Sequence, residues 1–165
     1  MHVTRETVRD QREWIRERTP FVIDLINEVR AGLGDQFDVD VDTVTEAQVD
    51  DAVDAVFADG DRAVNVAAMT AILRDLDVEG DYPGFVVDEL IGRELAATIA
   101  GGQPLRLLAE ATFYYADIRT HGDPEDPDAG AGLDDLDAAL AAGFQTRLPG
   151  WPWREHPSPF ALESD

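Results

Sequence analysis

The chain has 165 residues, 44% hydrophobic and 29% charged, which suffices for one domain that buries roughly 70% of the surface its unfolded form exposes. Its 35 Asp and Glu face 13 basic residues, every one an Arg, for a net charge of -22. Cysteine and lysine are absent, which excludes disulfides, thiolate nucleophiles, Cys-based zinc sites, Schiff-base chemistry and a Lys-dependent phosphate loop.

Residues 3–18 separate into three helical stripes at 100° per residue. Val3, Thr7, Val8, Gln11, Trp14 and Ile15 form one, Arg5, Arg9, Arg12 and Arg16 a second, and Glu6, Asp10, Glu13 and Glu17 a third. Thr19-Pro20 predicts a restart, with Thr19 as N-cap and Pro20 at the first helical position. Phe21, Val22, Leu25, Ile26 and Val29 give that second helix its buried side, and Gly32 or Gly34 is expected to stop it. Alternation over residues 37–42 predicts a short strand or extended loop. Thr45-Glu46-Ala47-Gln48 is a capping box, followed at helical spacing by Val49, Val53, Val56 and Phe57, and Asp59-Gly60-Asp61 breaks the helix.

A fourth helix is expected from about Asn65, with Val66, Met69, Ile72, Leu73 and Leu76 along one side. The fifth, Pro83 to Ala100, is apolar almost all round and is therefore expected to be the central buried helix. A sixth runs from after Pro104 to about Thr120, a loop rich in Asp, Pro and Gly follows, and a short seventh covers Asp134 to Phe144. Beyond Leu148, prolines 149, 152, 157 and 159 preclude a regular helix. The expectation is all-α: a single compact array of about seven helices over residues 1–147, and an extended Pro/aromatic tail over 148–165 packed on the domain or on a partner.

The charge sets the solvent. A net charge of -22 opposes compaction at ordinary ionic strength, whereas at about 1 M salt the screening length is about 3 Å and neighbouring carboxylates hardly interact. Arg in place of Lys offers a planar, weakly hydrated head suited to fixed ion pairs. This balance resembles the proteins of extreme halophiles, haloarchaea above all, and implies that high KCl or NaCl is needed for stability. No run reaches 18 apolar residues and the first 18 residues are highly charged, so the expected location is the cytoplasm, without a membrane span.

Three constellations could carry chemistry. Glu110, Tyr114, Asp117 and His121 fall at i, i+4, i+7 and i+11, a stripe of carboxylate, phenol and imidazole that could hold a metal or share a proton. Glu94, among apolar neighbours, is either a candidate catalytic residue or meets an Arg from another helix or the bundle edge. Residues 65–100 imitate a helix-turn-helix, but the reading helix carries Asp88, Glu89 and Glu94 against Arg93 alone, which disfavours nucleic acid. The aspartates around residues 38–42 and 59–61 lack the Gly and terminal acid of a calcium loop. No serine nucleophile elbow exists, since Ser occurs only at 158 and 164.

Two surfaces suggest binding. Residues 1–18 carry a local charge of +1, whereas residues 19–165, with 8 Arg against 31 acids, carry -23. Arg5, Arg9, Arg12 and Arg16 are thus the one stripe that an acidic surface would attract. Trp151, Trp153 and Phe160, spaced by prolines in the tail, are a second candidate, expected to dock in a groove. The leading expectation is a non-catalytic interaction or assembly module for a protein partner or a homo-oligomer, with no cofactor. The alternatives are a small metal-dependent enzyme on the Glu110–His121 stripe and a DNA-binding regulator.

Overall fold

A computed structural model of the chain describes residues 1–76, 87–120 and 131–150. Six α-helices and no strand occur among them: α1 (Arg5–Phe37), α2 (Glu46–Ala58), α3 (Gly60–Asp75), α4 (Val87–Ala100), α5 (Leu105–Thr120) and α6 (Ala131–Gln145). The array is all-α, with one helix fewer than the sequence suggests because the first two expected helices are one.

That fusion has a physical reason. Ile15, Thr19, Val22, Ile26 and Val29 lie at spacings of 4, 3, 4 and 3, so the buried stripe passes through Pro20 without changing face. Pro20 itself is exposed, on the side where water can satisfy the carbonyl its ring leaves free. Thr19 is no cap; its hydroxyl donates back to the Ile15 carbonyl at 3.3 Å. Nor do Gly32 and Gly34 end the helix. A Cβ at Gly32 would fall 2.2 Å from the Tyr115 hydroxyl, so the glycine serves the approach of α5 and not a stop. The helix ends at Asp38 in the left-handed region (φ 53°), with the Val39 amide donating to the Gly34 carbonyl at 2.9 Å.

The alternating stretch after Phe37 is an extended loop, and the Thr45 capping box then opens α2 as expected. Asn27 clasps Val44 in both directions, Arg16 reaches Asp54 at 3.5 Å, and Phe57 lies beside Arg5 and Arg9, so α2 runs back antiparallel along α1. Helix α3 begins at Gly60 and not near Asn65, because the Asp59 side chain accepts from the Arg62 amide and caps it. The expected start of the fifth helix at Pro83 lies outside the described residues.

The central helix is α6 and not α4. Every residue from Asp135 to Thr146 is buried, and α6 packs against α1, α3, α4 and α5. The helix over residues 83–100 is expected at the centre because its apolar residues surround the axis, yet Leu90 and Glu94 of α4 face solvent. Small side chains win the centre: Ala138, Ala139, Ala141, Ala142 and Gly143 make α6 thin enough for neighbours on every side, and a Cβ at Gly143 would stand 2.7 Å from that of Ile99. The wider core joins Val22, Ile26, Val53, Val56, Leu73, Leu95, Ile99, Phe113, Leu140 and Phe144.

Two arginines tie this core together. Arg30, 1% exposed, donates to the carbonyls of Asp42 (3.1 Å), Leu148 (3.1 Å) and Pro149 (2.7 Å), clamping α1 to the loop before α2 and to the segment after α6. Arg18 makes a fork with Asp137 of α6 at 2.9 and 2.7 Å. Burial pushes the Asp137 carboxyl above the ordinary aspartate value, and the attraction of Arg18 offsets only part of that rise.

Candidate functional site: an arginine-lined cleft

Between the first half of α1 and the last turn of α2 lies a cleft of about 180 Å³, lined by Arg5, Val8, Arg9, Arg12 and Phe57. Helical spacing puts three guanidinium groups on its wall, since residues i, i+4 and i+7 share a face. A reciprocal capping box between Thr4 and Thr7 starts the helix just ahead of Arg5 and fixes where that wall begins. Gln11 and Trp14, on the next face, hold α1 to α3: Arg74 donates to Gln11 at 3.1 Å and stacks 4.5 Å from the Trp14 ring. The stripe is therefore turned toward Phe57, and its orientation is set by packing on the other side of the same helix.

Within this acid-rich chain the cleft is electrostatically open. Of the four stripe arginines, Arg16 pairs with Asp54 of α2, while Arg5, Arg9 and Arg12 have no carboxylate within 4.0 Å among the described residues. The Arg12 Nε is buried with no hydrogen-bond partner there. A buried donor left unmade costs about 1–3 kcal/mol, more when it belongs to a charged group, so an acceptor entering the cleft would recover that cost. The last turn of α2 holds no basic residue, so its partial negative charge adds some background attraction for the arginines without supplying a counter-ion.

The other sequence candidates are placed differently. Glu94 is exposed and pairs with Arg106 of α5, which also stands 3.8 Å from Glu110, so the expected Arg partner for Glu94 is present. Tyr114 accepts from Arg93 at 2.9 Å, and its ring meets that of Phe113 edge-on. Glu110, Tyr114 and Asp117 keep their shared side of α5, but among the described residues no three His, Asp or Glu stand close enough to hold a metal ion. His121, Trp151, Trp153 and Phe160 lie outside the described residues, as does the connection of the imitated helix-turn-helix. Asp59, in the rejected calcium loop, caps α3 and pairs with Arg62 at 3.4 Å. No described helix is long and apolar enough to cross a membrane.

Sequence reasoning missed Phe57 as a cleft wall, because its spacing reads as core, and it missed Arg30. The signal for Arg30 was available: it stands four residues after Ile26 on the buried stripe, where an uncompensated cation would be costly.

The arrangement of one long helix carrying the cleft, a second helix folded back on it and a small-residue helix at the centre can be set beside known proteins. The chain belongs to the family of the domain of unknown function DUF7984, whose pattern matches residues 1–164. No curated protein and no solved structure matches it. In this DUF7984 domain the match takes in both the α1 arginine stripe and the segment after Leu148, so neither is an appendage to the family's own extent.

Proposed function

We propose that this protein works by binding another protein, and that the cleft of Arg5, Arg9, Arg12 and Phe57 receives a carboxylate of that partner. The supporting observation is the buried Arg12 Nε without a hydrogen-bond partner, beside two further arginines without a carboxylate, among the described residues of a chain with 35 acids. A volume of about 180 Å³ is below the roughly 300–1,000 Å³ of pockets that enclose a small molecule, so the cleft suits one anchoring side chain or chain terminus. Guanidinium forks bind carboxylates in two places at once, and Phe57 supplies an apolar wall for the carbons behind the carboxylate. In a cytoplasm kept at molar salt, long-range attraction is screened and such close, geometrically matched contacts carry the recognition.

A photo-crosslinking amino acid in place of Val8, introduced in cells at their working salt, tests this. Discrete protein adducts are expected, and they should disappear when Arg9→Glu and Arg12→Glu are added. Adducts indifferent to the charge reversal, or no adducts, would overturn the reading. Adducts with nucleic acid would favour a DNA-binding regulator in its place.

A further inference from the structure

The side of α5 turned away from the core is apolar where a solvent face should be polar. Leu107 (62% exposed), Ala111, Tyr114 (41%) and Ile118 (69%) fall within about 60° of arc, while Ala109, Thr112, Phe113 and Ala116 of the same helix are buried. Leu90 of α4 (54% exposed) extends the patch, on the same side of its helix as Arg93, which reaches Tyr114. The helix thus has two apolar faces, only one of them used among the described residues. Contiguous exposed apolar patches of this kind mark association surfaces.

We infer that this face pairs with the same face of a second copy, α5 against α5 and antiparallel, about a twofold axis. The stripe is self-complementary. Its spacings of 4, 3 and 4 are those of a coiled-coil seam and read the same in both directions about the point between Thr112 and Phe113. Antiparallel pairing at that centre sets Leu107 of one copy against Ile118 of the other, and Ala111 against Tyr114, small opposite large. Such an isologous contact closes on itself and yields a dimer and not a filament. Tyr114 is ordered for this role, since Arg93 holds its hydroxyl and Phe113 its ring.

The flanking charges favour a second copy over a cationic partner. Beside the stripe, Arg93 and Arg106 stand among Glu94, Glu110 and Asp117, nearly balanced in a chain of net charge -22. A cationic partner would be drawn to the acid-rich remainder of the surface, whereas the twofold sets Glu110 of one copy near Asp117 of the other, an acid pair that molar salt screens. The residual repulsion between two such chains falls as salt rises, and apolar association strengthens, so the dimer should tighten with KCl.

Sedimentation velocity on the full chain at a series of KCl concentrations is the test. The expected result is a dimer in molar KCl, with a dissociation constant that falls at least tenfold between low and molar salt. Leu107→Asp with Ile118→Asp should give a monomer with an unchanged helical spectrum, both positions being exposed. Because the native chain has no cysteine, register can be read separately. Mixing Leu107→Cys with Ile118→Cys chains under mild oxidation should give severalfold more mixed disulfide than either variant gives with itself. A wild-type chain that stays monomeric in molar KCl, a dimer that survives the aspartates, or no preference for the mixed disulfide would each overturn the inference.

Discussion

Arg18 and Asp137 are bound as a fork, yet the two ends are not equivalent: the Asp137 side chain is 3% exposed and that of Arg18 is 29%. Removing Arg18 leaves a buried carboxylate without its counter-charge, whereas Arg18 without Asp137 could still reach water and the Phe21 ring 4.6 Å away. Arg18→Ala is therefore expected to cost about 3–5 kcal/mol at neutral pH. The pH dependence follows from the raised Asp137 carboxyl. An acid whose folded pKa lies above its unfolded value contributes stability that is complete below the unfolded value and is lost as pH rises through the folded one. Loss of Arg18 raises the folded value further, so the deficit of Arg18→Ala relative to the native chain should shrink as pH falls toward 4. Denaturant unfolding in molar KCl at several pH values checks this; a deficit that is constant with pH would show that Asp137 is not the group responsible. At this scale the sequence was partly legible. The arginine stripe could be read from spacing, and the need of Glu94 for an Arg or an exposed edge from the cost of burial, but a contact 119 residues apart, such as Arg18 with Asp137, leaves no local pattern.

At the scale of the element, α6 shows why hydrophobicity alone misjudged the centre. An apolar circumference is what marked the helix over residues 83–100 as central, but the axis of a bundle belongs to the helix whose neighbours can come closest. Gly143 makes the point testable. Gly143→Ala would place a methyl 2.7 Å from the Ile99 Cβ and 3.0 Å from the Ala96 carbonyl. Overpacking of about 1–3 kcal/mol should outweigh the roughly 1 kcal/mol gained in helix propensity, and the variant should be less stable. Gly60→Ala, at the exposed start of α3, meets nothing within 4 Å and should be neutral or up to about 1 kcal/mol more stable. Thermal melts of the two variants in the same buffer give the comparison; equal shifts would mean that the approach of α4 to α6 is not tight. The long α1 makes a related point. Thr19-Pro20 has every local mark of a helix start, and the chain ignores it because the buried stripe from Ile15 to Val29 continues in phase beneath an exposed proline.

At the scale of the whole molecule, charge decides the conditions under which the fold exists. A net charge of -22 on one small body opposes compaction, and the expectation is that the unfolded chain, with its acids farther apart, gains on the fold as ionic strength falls. The melting temperature followed by circular dichroism should rise steeply from low to molar KCl, and a midpoint indifferent to salt would overturn the reading of the composition as halophilic.

The sequence by itself determined the helical class, the absence of thiol, lysine and serine-elbow chemistry, and the arginine stripe at the start of the chain, because these depend on residue type and on spacings within a single helix. Only the tertiary structure decided that Phe57 closes the arginines into a cleft, that Arg12 keeps a buried donor unpaired among the described residues, that Arg30 locks the segment after α6 to α1, and that α5 exposes a second apolar face. Each of these depends on which helix lies against which, and that choice is made by the fit of small residues and continuous stripes across the whole chain, a long-range quantity that no window of local sequence contains.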